Sequence, residues 1–149
     1  MKFLGLDVGN RRVGVAFGDS ELRLATPVDV IGRESIVRDA RIIGQFVHEY
    51  DAVRLVVGLP RNMDGTRGPQ AEAVTGYAER IAGALNLPVV FWDERLTTVE
   101  ATRRTQEAGA PRQPTGRARR TKKSRGGLDA IAAAVILQDY MDNGGNGSE

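Results

Sequence analysis

The order of hydrophobic patterns along the chain is the feature that most limits its fold. Segments 2–8, 13–17 and 22–30 have strand character, the first as an apolar run and the other two as period-two alternations. Gly9 and Asn10 separate the first two segments and are typical turn formers. Together the three segments predict an antiparallel three-stranded meander.

Helical and strand patterns alternate through the rest of the chain. Apolar residues recur at helical spacing in several stretches, a short apolar run predicts a strand buried on both faces, and a capping box of Thr97 and Glu100 marks a further helix start. The expected order is helix 36–51, strand 53–59, helix 69–85, strand 88–93, helix 97–108 and helix 128–141. Strands separated by helices run parallel through right-handed crossovers. The pattern therefore predicts an α/β fold with a mixed five-stranded sheet flanked by helices.

The length and composition are typical of one soluble globular domain. The chain has 149 residues, of which 41% are hydrophobic and 27% charged. No apolar run approaches the ~20 residues that span a bilayer, and the first residues do not resemble a secretory signal. The absence of cysteine excludes thiol chemistry and fits a cytoplasmic protein. We expect a single domain over residues 1–142 and a disordered tail over 143–149, where the sequence reads NGGNGSE.

One segment carries the basic character of the chain. The formal net charge is only +2, yet residues 111–128 hold seven basic side chains and no acidic one. Because this stretch contains glycine and proline and almost no apolar residue, it predicts a loop that contacts nucleic-acid phosphates. A solvated run of charge is the alternative interpretation. The candidate nucleic-acid-binding residues are Arg112, Arg117, Arg119, Arg120, Lys122, Lys123 and Arg125.

Asp7 stands inside the first predicted strand, between Leu6 and Val8. A carboxylate is unfavourable in a buried strand unless something compensates its charge. A divalent cation would do so, because Mg²⁺ and Mn²⁺ prefer carboxylate and phosphate oxygens. A cap on the Gly9–Asn10 turn accounts for the position equally well, and the sequence leaves both interpretations open.

Further acidic residues lie at the end of the last strand and at the start of the last helix. The strand ends in Asp93 and Glu94, and strand alternation lets only one of them reach a given face. Asp129 is predicted in the first turn of the last helix, where an acid is common because the helix dipole stabilises it. If that helix packs on the sheet, Asp129 approaches the strand acids. Three such carboxylates could hold two metal ions roughly 4 Å apart.

Other catalytic chemistries find little support in the sequence. His48 is the single histidine and falls in a helical pattern, which favours a partly exposed helix residue over a catalytic base. The chain has neither a phosphate-binding P-loop nor a nucleophile elbow. The few aromatic residues offer no evident stacking platform for bases, so no base readout is predicted.

Four segments resemble the YqgF family, also called RuvX, whose members are pre-16S rRNA nucleases long grouped with Holliday junction resolvases. The segments are GLDVGNRRVGVAFGD at 5–19, VVGLPRNMDGTRGPQAEAV at 56–74, DERLTT at 93–98 and LDAIAAAVILQDY at 128–140. The resemblance implies a ribonuclease H-like nuclease that uses Mg²⁺ or Mn²⁺. It also implies that Asp7, Glu94 and Asp129 are the catalytic and metal-binding residues.

The resemblance further implies that the substrate is structured RNA, and specifically that the protein matures the 5′ end of pre-16S rRNA in the cytoplasm. The small ribosomal subunit is then an expected partner, the protein a monomer or homodimer, and no membrane is involved. Two alternatives stay open: a resolvase of branched DNA, which needs a dimer to cut two strands, and an RNA-binding ribosome-assembly factor without cleavage. A sugar-kinase-like ATPase is disfavoured, because its two-lobed architecture does not fit 149 residues.

The fourth predicted strand departs from the pattern of the broader resolvase relatives. Many of those carry an acid on this strand, whereas here it reads VVGLP, so the second acid must come from DER. Asn62, Asp64 and Thr66 in the following loop are further candidates for the same site. Turn formation explains these three residues as well.

Overall fold

A computed structural model gives the fold of the chain and describes residues 1–60, 68–93 and 121–143, with side chains from residue 127 onward in the last range. Among the helices in these ranges, none combines the length and the apolar character that crossing a membrane requires.

A five-stranded sheet lies at the centre of the described structure. Its strands are β1 (Lys2–Val8), β2 (Arg12–Asp19), β3 (Leu24–Gly32), β4 (Arg54–Leu59) and β5 (Val89–Asp93). The spatial order is β3-β2-β1-β4-β5. The first three strands pair antiparallel, whereas β4 runs parallel to β1 and β5 runs parallel to β4. The predicted meander and the predicted mixed sheet are both confirmed.

Within the described ranges three helices flank the sheet, and local signals fix the ends of the first two. They are α1 (Ile36–Tyr50), α2 (Pro69–Leu85) and α3 (Thr121–Asn143). The Ser35 hydroxyl accepts a hydrogen bond from the Arg38 amide at 3.1 Å and caps the start of α1. Asp51 and Asn86 adopt left-handed backbone angles, with φ of 56° and 60°, and end α1 and α2.

The two faces of the sheet carry separate hydrophobic clusters. Leu4 and Leu6 of β1 pack on one face with Ile43 of α1 and Ile81 of α2. Phe3 packs on the other face, within the cluster that the apolar residues of α3 form. Since side chains alternate along a strand, odd-numbered positions of β1 face α3.

β3 differs from its predicted pattern in two ways. The strand begins at Leu24, because Leu22 lies exposed in the preceding turn. A bulge at Val28 then shifts the register, so that Pro27 and Asp29 pair with consecutive residues of β2. An extra residue in one strand moves the following side chains to the opposite face, which a uniform alternation over 22–30 does not anticipate.

The start of the last helix also differs from its prediction. We expected a basic loop up to Leu128, but α3 begins at Thr121 and includes Lys122, Lys123 and Arg125. Gly126 and Gly127 each reduce the stability of the helix by roughly 1 kcal/mol relative to alanine. The neighbouring lysine and arginine residues favour the helix and offset part of this loss. Asp129 therefore lies about two turns inside the helix rather than in its first turn. The helix dipole does not explain it there, because that effect is confined to the terminal turn.

Candidate active site at one edge of the sheet

One edge of the sheet collects the predicted acidic positions. The parallel strands β1, β4 and β5 all end at this edge, with Val8, Leu59 and Asp93 as their last residues. The antiparallel strand β2 begins at the same edge with Arg12. In open α/β sheets this carboxyl edge is where ligands usually bind.

Asp7 occupies the next-to-last position of β1 and is only 6% exposed. It shares its odd-numbered register with Phe3, so its side chain is on the α3 face of the sheet. Its partner across the β1–β2 ladder is Gly14. Asp7 is therefore a buried carboxylate at the carboxyl edge, beside a residue that has no side chain.

Asp129 lies directly over Gly14. A Cβ atom built on Gly14 would be 2.0 Å from the carbonyl oxygen of Asp129 and 2.9 Å from the amide nitrogen of Ala130. The backbone of α3 can come this close to β2 only because residue 14 is glycine. Residues paired across an antiparallel ladder have Cα atoms about 4.5–5.5 Å apart. The structure thus brings Asp7 and Asp129 together on one face, although they are 122 positions apart in the sequence.

Arg12 forms an ion pair with Asp129. Its Nε atom donates to Oδ2 of Asp129 at 2.8 Å, and the two side chains are 47% and 23% exposed. The backbone around Arg12 is fixed, since its carbonyl accepts a hydrogen bond from the Gly9 amide at 2.8 Å. A cavity of about 280 Å³ opens at this point, lined by the turn residues 9–12 and Asp129.

The end of β5 presents its side chains alternately to the two faces. Val89 and Phe91 pack with the α1–α2 cluster, whereas Val90 and Trp92 pack with the α3 cluster. Asp93 shares the register of Val89 and Phe91, so alternation points it away from the face that carries Asp7. Of the two acids that the sequence offered here, Asp93 is thus on the wrong face to join Asp7.

The described acids supply a partial donor set for a cation. Asp7 and Asp129 offer carboxylate oxygens, the ligands that Mg²⁺ and Mn²⁺ prefer, and Asp129 lines the cavity that opens to solvent. Within residues 1–60, 68–93 and 121–143, no group of three or more His, Cys, Asp or Glu side chains could hold a metal ion. The donor chemistry fits a hard divalent cation, and two of the three predicted ligands are adjacent.

Several predicted residues fall outside the described ranges. They are Glu94, the loop residues Asn62, Asp64 and Thr66, the capping pair Thr97 and Glu100 with the helix 97–108, and the basic residues Arg112, Arg117, Arg119 and Arg120. Lys122, Lys123 and Arg125 are described by backbone alone, in the part of α3 that precedes Asp129. At 1.5 Å per residue, the helix extends about 12 Å from Asp129 back to Thr121.

A second polar cluster, on the α1–α2 face, was not predicted from the sequence. Asp39 is 1% exposed and accepts hydrogen bonds from the Tyr77 hydroxyl at 2.8 Å and the Glu34 amide at 3.1 Å. Burial, reinforced by the hydrogen bond to Asp39 and by its charge, raises the pKa of Tyr77 well above its ordinary value of 10.0. Arg33 lies 4.0 Å above the Tyr77 ring and donates to the Gly9 carbonyl at 2.8 Å. This cluster therefore ties the helices to the turn that borders the candidate site.

Sequence reasoning also missed Arg12. The only signal for it was the pair of arginines directly after the Gly9–Asn10 turn. Since a turn next to a site acid brings its own side chains to the same edge, a cation there was a reasonable candidate for the site.

Comparisons with known proteins identify the family. A family model described as "RuvX: Holliday junction resolvase" matches residues 1–143. A protein of Caldanaerobacter subterraneus subsp. tengcongensis is 42% identical over 143 residues, covering 96% of this chain and 97% of that protein. A protein of Symbiobacterium thermophilum is 45% identical over 142 residues, covering 95% and 92%. Both relatives carry the name "Putative pre-16S rRNA nuclease".

A solved structure supports the fold. Thermus thermophilus RuvC, in complex with a Holliday junction substrate, superimposes with a TM-score of 0.52 at 14% identity, covering 95% of this chain and 93% of that one. RuvC-like resolvases have the ribonuclease H-like fold, and at this identity the likeness concerns the fold alone. The predicted ribonuclease H-like fold is confirmed.

Proposed function

This chain belongs to the RuvX family, and we propose that it is a metal-dependent endonuclease that cuts structured RNA during maturation of the 5′ end of pre-16S rRNA. The observation that carries the proposal is the adjacency of Asp7 and Asp129 at the carboxyl edge, on the face where α3 crosses Gly14. The names of the relatives support RNA as the substrate. Such a substrate fits a cytoplasmic protein that works on the small ribosomal subunit.

We propose Asp7, Asp129 and Glu94 as the residues that hold Mg²⁺ or Mn²⁺. The alternation of β5 supports Glu94 over Asp93, because a strand that continued one residue further would turn position 94 to the α3 face. Gly58 follows Val57, the partner of Leu6, and therefore lies beside Asp7. Because it is glycine, it places no side chain between β1 and β5 on that face.

The chain's own residues have separate tasks in this mechanism. Two divalent cations, when bound, would supply an activated water and stabilise the leaving oxygen. Asp7 is buried in a rigid strand and fixes one end of the ligand set, while Asp129 is fixed by the contact of α3 with Gly14. Close packing of α3 on the sheet limits the movement of these carboxylates, which is what positioning of a scissile phosphate requires.

The basic segment is proposed to bind the phosphate backbone next to the site. Lys122, Lys123 and Arg125 belong to the first two turns of α3, which precede Asp129. Cations at this end of the helix would contact the backbone phosphates on either side of the cleaved phosphodiester. Such contacts give affinity without sequence specificity, and they make binding sensitive to salt.

Cleavage of branched DNA is the second candidate function. Two observations favour it: the description of the family as Holliday junction resolvases, and the likeness in fold to a resolvase solved with a junction. The chemistry would be the same, but a homodimer would be needed to cut both strands. The match over residues 1–143 supports a single domain, which we propose for this range. Asn143, expected as the first residue of the tail, is the last residue of α3, and residues 144–149 of that predicted tail lie outside the described ranges.

The decisive experiment compares wild type with Asp7→Asn in Mn²⁺, using a precursor rRNA fragment and a four-way DNA junction as substrates. We expect wild type to cut the RNA preferentially and Asp7→Asn to lose at least about 100-fold in rate, since even residues behind metal ligands are worth 10–100-fold. RNA binding and the unfolding transition should be retained.

Asp142→Asn is the matched control. It also replaces an aspartate by asparagine, but at a position of α3 that lies about 20 Å along the helix from Asp129. It should cut at the wild-type rate. Full cleavage by Asp7→Asn would contradict the mechanism, and preferential cutting of the junction would favour the resolvase. If wild type binds the RNA but leaves it intact in Mn²⁺, a non-catalytic assembly factor is the better interpretation.

A further inference from the structure

The ion pair between Arg12 and Asp129 engages a carboxylate that the proposed mechanism assigns to a metal ion. Oδ2 of Asp129 accepts from Nε of Arg12 at 2.8 Å. A divalent cation on the same oxygen would lie close to the positively charged guanidinium, and the two cations would repel each other. Loading of the site at Oδ2 of Asp129 therefore favours movement of Arg12 away from this carboxylate.

The exposure of the pair makes this exchange easy. The Arg12 side chain is 47% exposed and the Asp129 side chain 23% exposed, so water already reaches both groups. Forming or breaking an exposed ion pair of this kind changes an equilibrium constant for folding or binding by only about two- to fivefold. A divalent cation held by several carboxylates can displace such a partner.

The released side chain stays at the active-site edge. The backbone of Arg12 is held by the hydrogen bond from the Gly9 amide at 2.8 Å, and the Arg33 amide donates to the Arg11 carbonyl at 2.8 Å. Only the side chain is then able to move, within the cavity of about 280 Å³ lined by residues 9–12 and Asp129. A guanidinium is well suited to this position, because its planar donors match phosphate oxygens in pairs.

We propose that Arg12 is an exchangeable counter-ion: it neutralises Asp129 in the metal-free enzyme and, once a cation takes that carboxylate, binds the phosphate of the substrate. This inference rests on the proposed function, since it assumes that Asp129 holds a metal ion. Without metal, Arg12 offsets the repulsion between two neighbouring carboxylates. With metal, it becomes one of the groups that recognise the nucleic acid, so that substrate binding and metal loading are coupled.

The first test measures Mn²⁺ binding by titration calorimetry, without nucleic acid, for wild type, Arg12→Gln and Arg11→Gln. Arg11 lines the same cavity but makes no ion pair with Asp129 among the described residues. We expect Arg12→Gln to bind Mn²⁺ about two- to fivefold more tightly than wild type. The reason is that the Arg12 guanidinium no longer competes with the ion for Asp129, and an exposed ion pair is worth about this factor. Arg11→Gln should show a smaller change, due to charge alone. Equal or weaker Mn²⁺ binding by Arg12→Gln overturns the exchange.

The second test measures affinity for the precursor rRNA fragment with EDTA and with Ca²⁺, another hard cation that takes carboxylate oxygens. Arg12→Gln should bind RNA like wild type in EDTA and about tenfold or more weakly in Ca²⁺, because a charge-assisted hydrogen bond to phosphate is missing only in the loaded state. Arg12→Lys should recover part of that affinity. A structural ion pair would give the same loss in both conditions, and that result refutes the proposal.

These readouts separate the failure of this inference from the failure of the proposed function. If wild type does not cut RNA but the metal-dependent loss of affinity in Arg12→Gln is observed, the exchange holds and the nuclease assignment falls. If wild type cuts RNA while Arg12→Gln shows neither the tighter Mn²⁺ binding nor the metal-dependent loss, only the exchange is refuted.

Discussion

Adding one methyl group at Gly14 should damage the candidate site more than any other conservative change in β2. The new Cβ atom would lie 2.0 Å from the Asp129 carbonyl oxygen and 2.3 Å from its carbonyl carbon, whereas real Cβ atoms essentially never approach within 3.0 Å. The obstructing atoms belong to the helix backbone and cannot rotate away. Helix α3 must therefore withdraw from the sheet by at least ~1 Å, and Asp129 must move with it.

The size of the effect follows from this displacement. Overpacking of this kind costs about 1–3 kcal/mol of the free energy of unfolding. A misplacement of ~1 Å in an active site can cost about 100-fold in rate. We expect Gly14→Ala to show both losses, measured by urea unfolding and by Mn²⁺-dependent cleavage of the precursor rRNA fragment.

Gly18→Ala is the matched control for Gly14→Ala. It lies on the same strand and the same face, and its added Cβ would come within 2.7 Å of the Leu137 side chain rather than of backbone. That side chain can change rotamer, so stability should fall while cleavage stays within a few-fold of wild type. Wild-type cleavage by Gly14→Ala, or an equal loss of cleavage in Gly18→Ala, would refute the idea that the helix contact positions Asp129.

Tyr77 and the basic segment give two further predictions. Because the pKa of Tyr77 is raised above its ordinary value of 10.0 in the folded protein, its contribution to stability is complete below about pH 10 and is lost as the pH rises further. Wild type should lose stability in urea above pH 10 more steeply than Tyr77→Phe, and identical slopes would mean that the hydroxyl is not shielded. Replacing Arg119, Arg120, Lys122 and Lys123 with serine should flatten the dependence of log Kd on log salt by about 0.7–0.9 for each phosphate that the protein no longer neutralises. An unchanged slope would show that these side chains do not touch phosphate.

Much of the fold could be predicted because the spacing of apolar residues shows which face of each helix or strand is buried. Ala40 and Ile43 recur at helical spacing and are both buried against the sheet. The apolar run predicted as a strand over 53–59 forms β4 over 54–59, which has a neighbouring strand on each side. These signals depend only on residues close in sequence. The order of strands and helices then leaves few topologies that satisfy right-handed crossovers.

The site was predicted less completely, because its contacts are not local. Arg12 and Asp129 are 117 positions apart, and no pattern within either segment predicts that they form an ion pair. Asp39 and Tyr77 likewise belong to different helices and meet only once α1 and α2 pack. The start of α3 was predicted wrongly because a pair of glycines is a plausible helix boundary, and only the helix itself shows that the chain continues through them.

The shape of β3 restricts how two copies of the protein can meet. Pro27 brings no amide hydrogen to the outer rim of the sheet, and the bulge at Val28 bends the strand out of a flat ladder. A continuous ten-stranded sheet across two copies, joined β3 to β3, would leave hydrogen-bonding groups unmatched at its seam. If two copies act together on two strands of nucleic acid, pairing of their β3 strands is therefore a disfavoured way to join them.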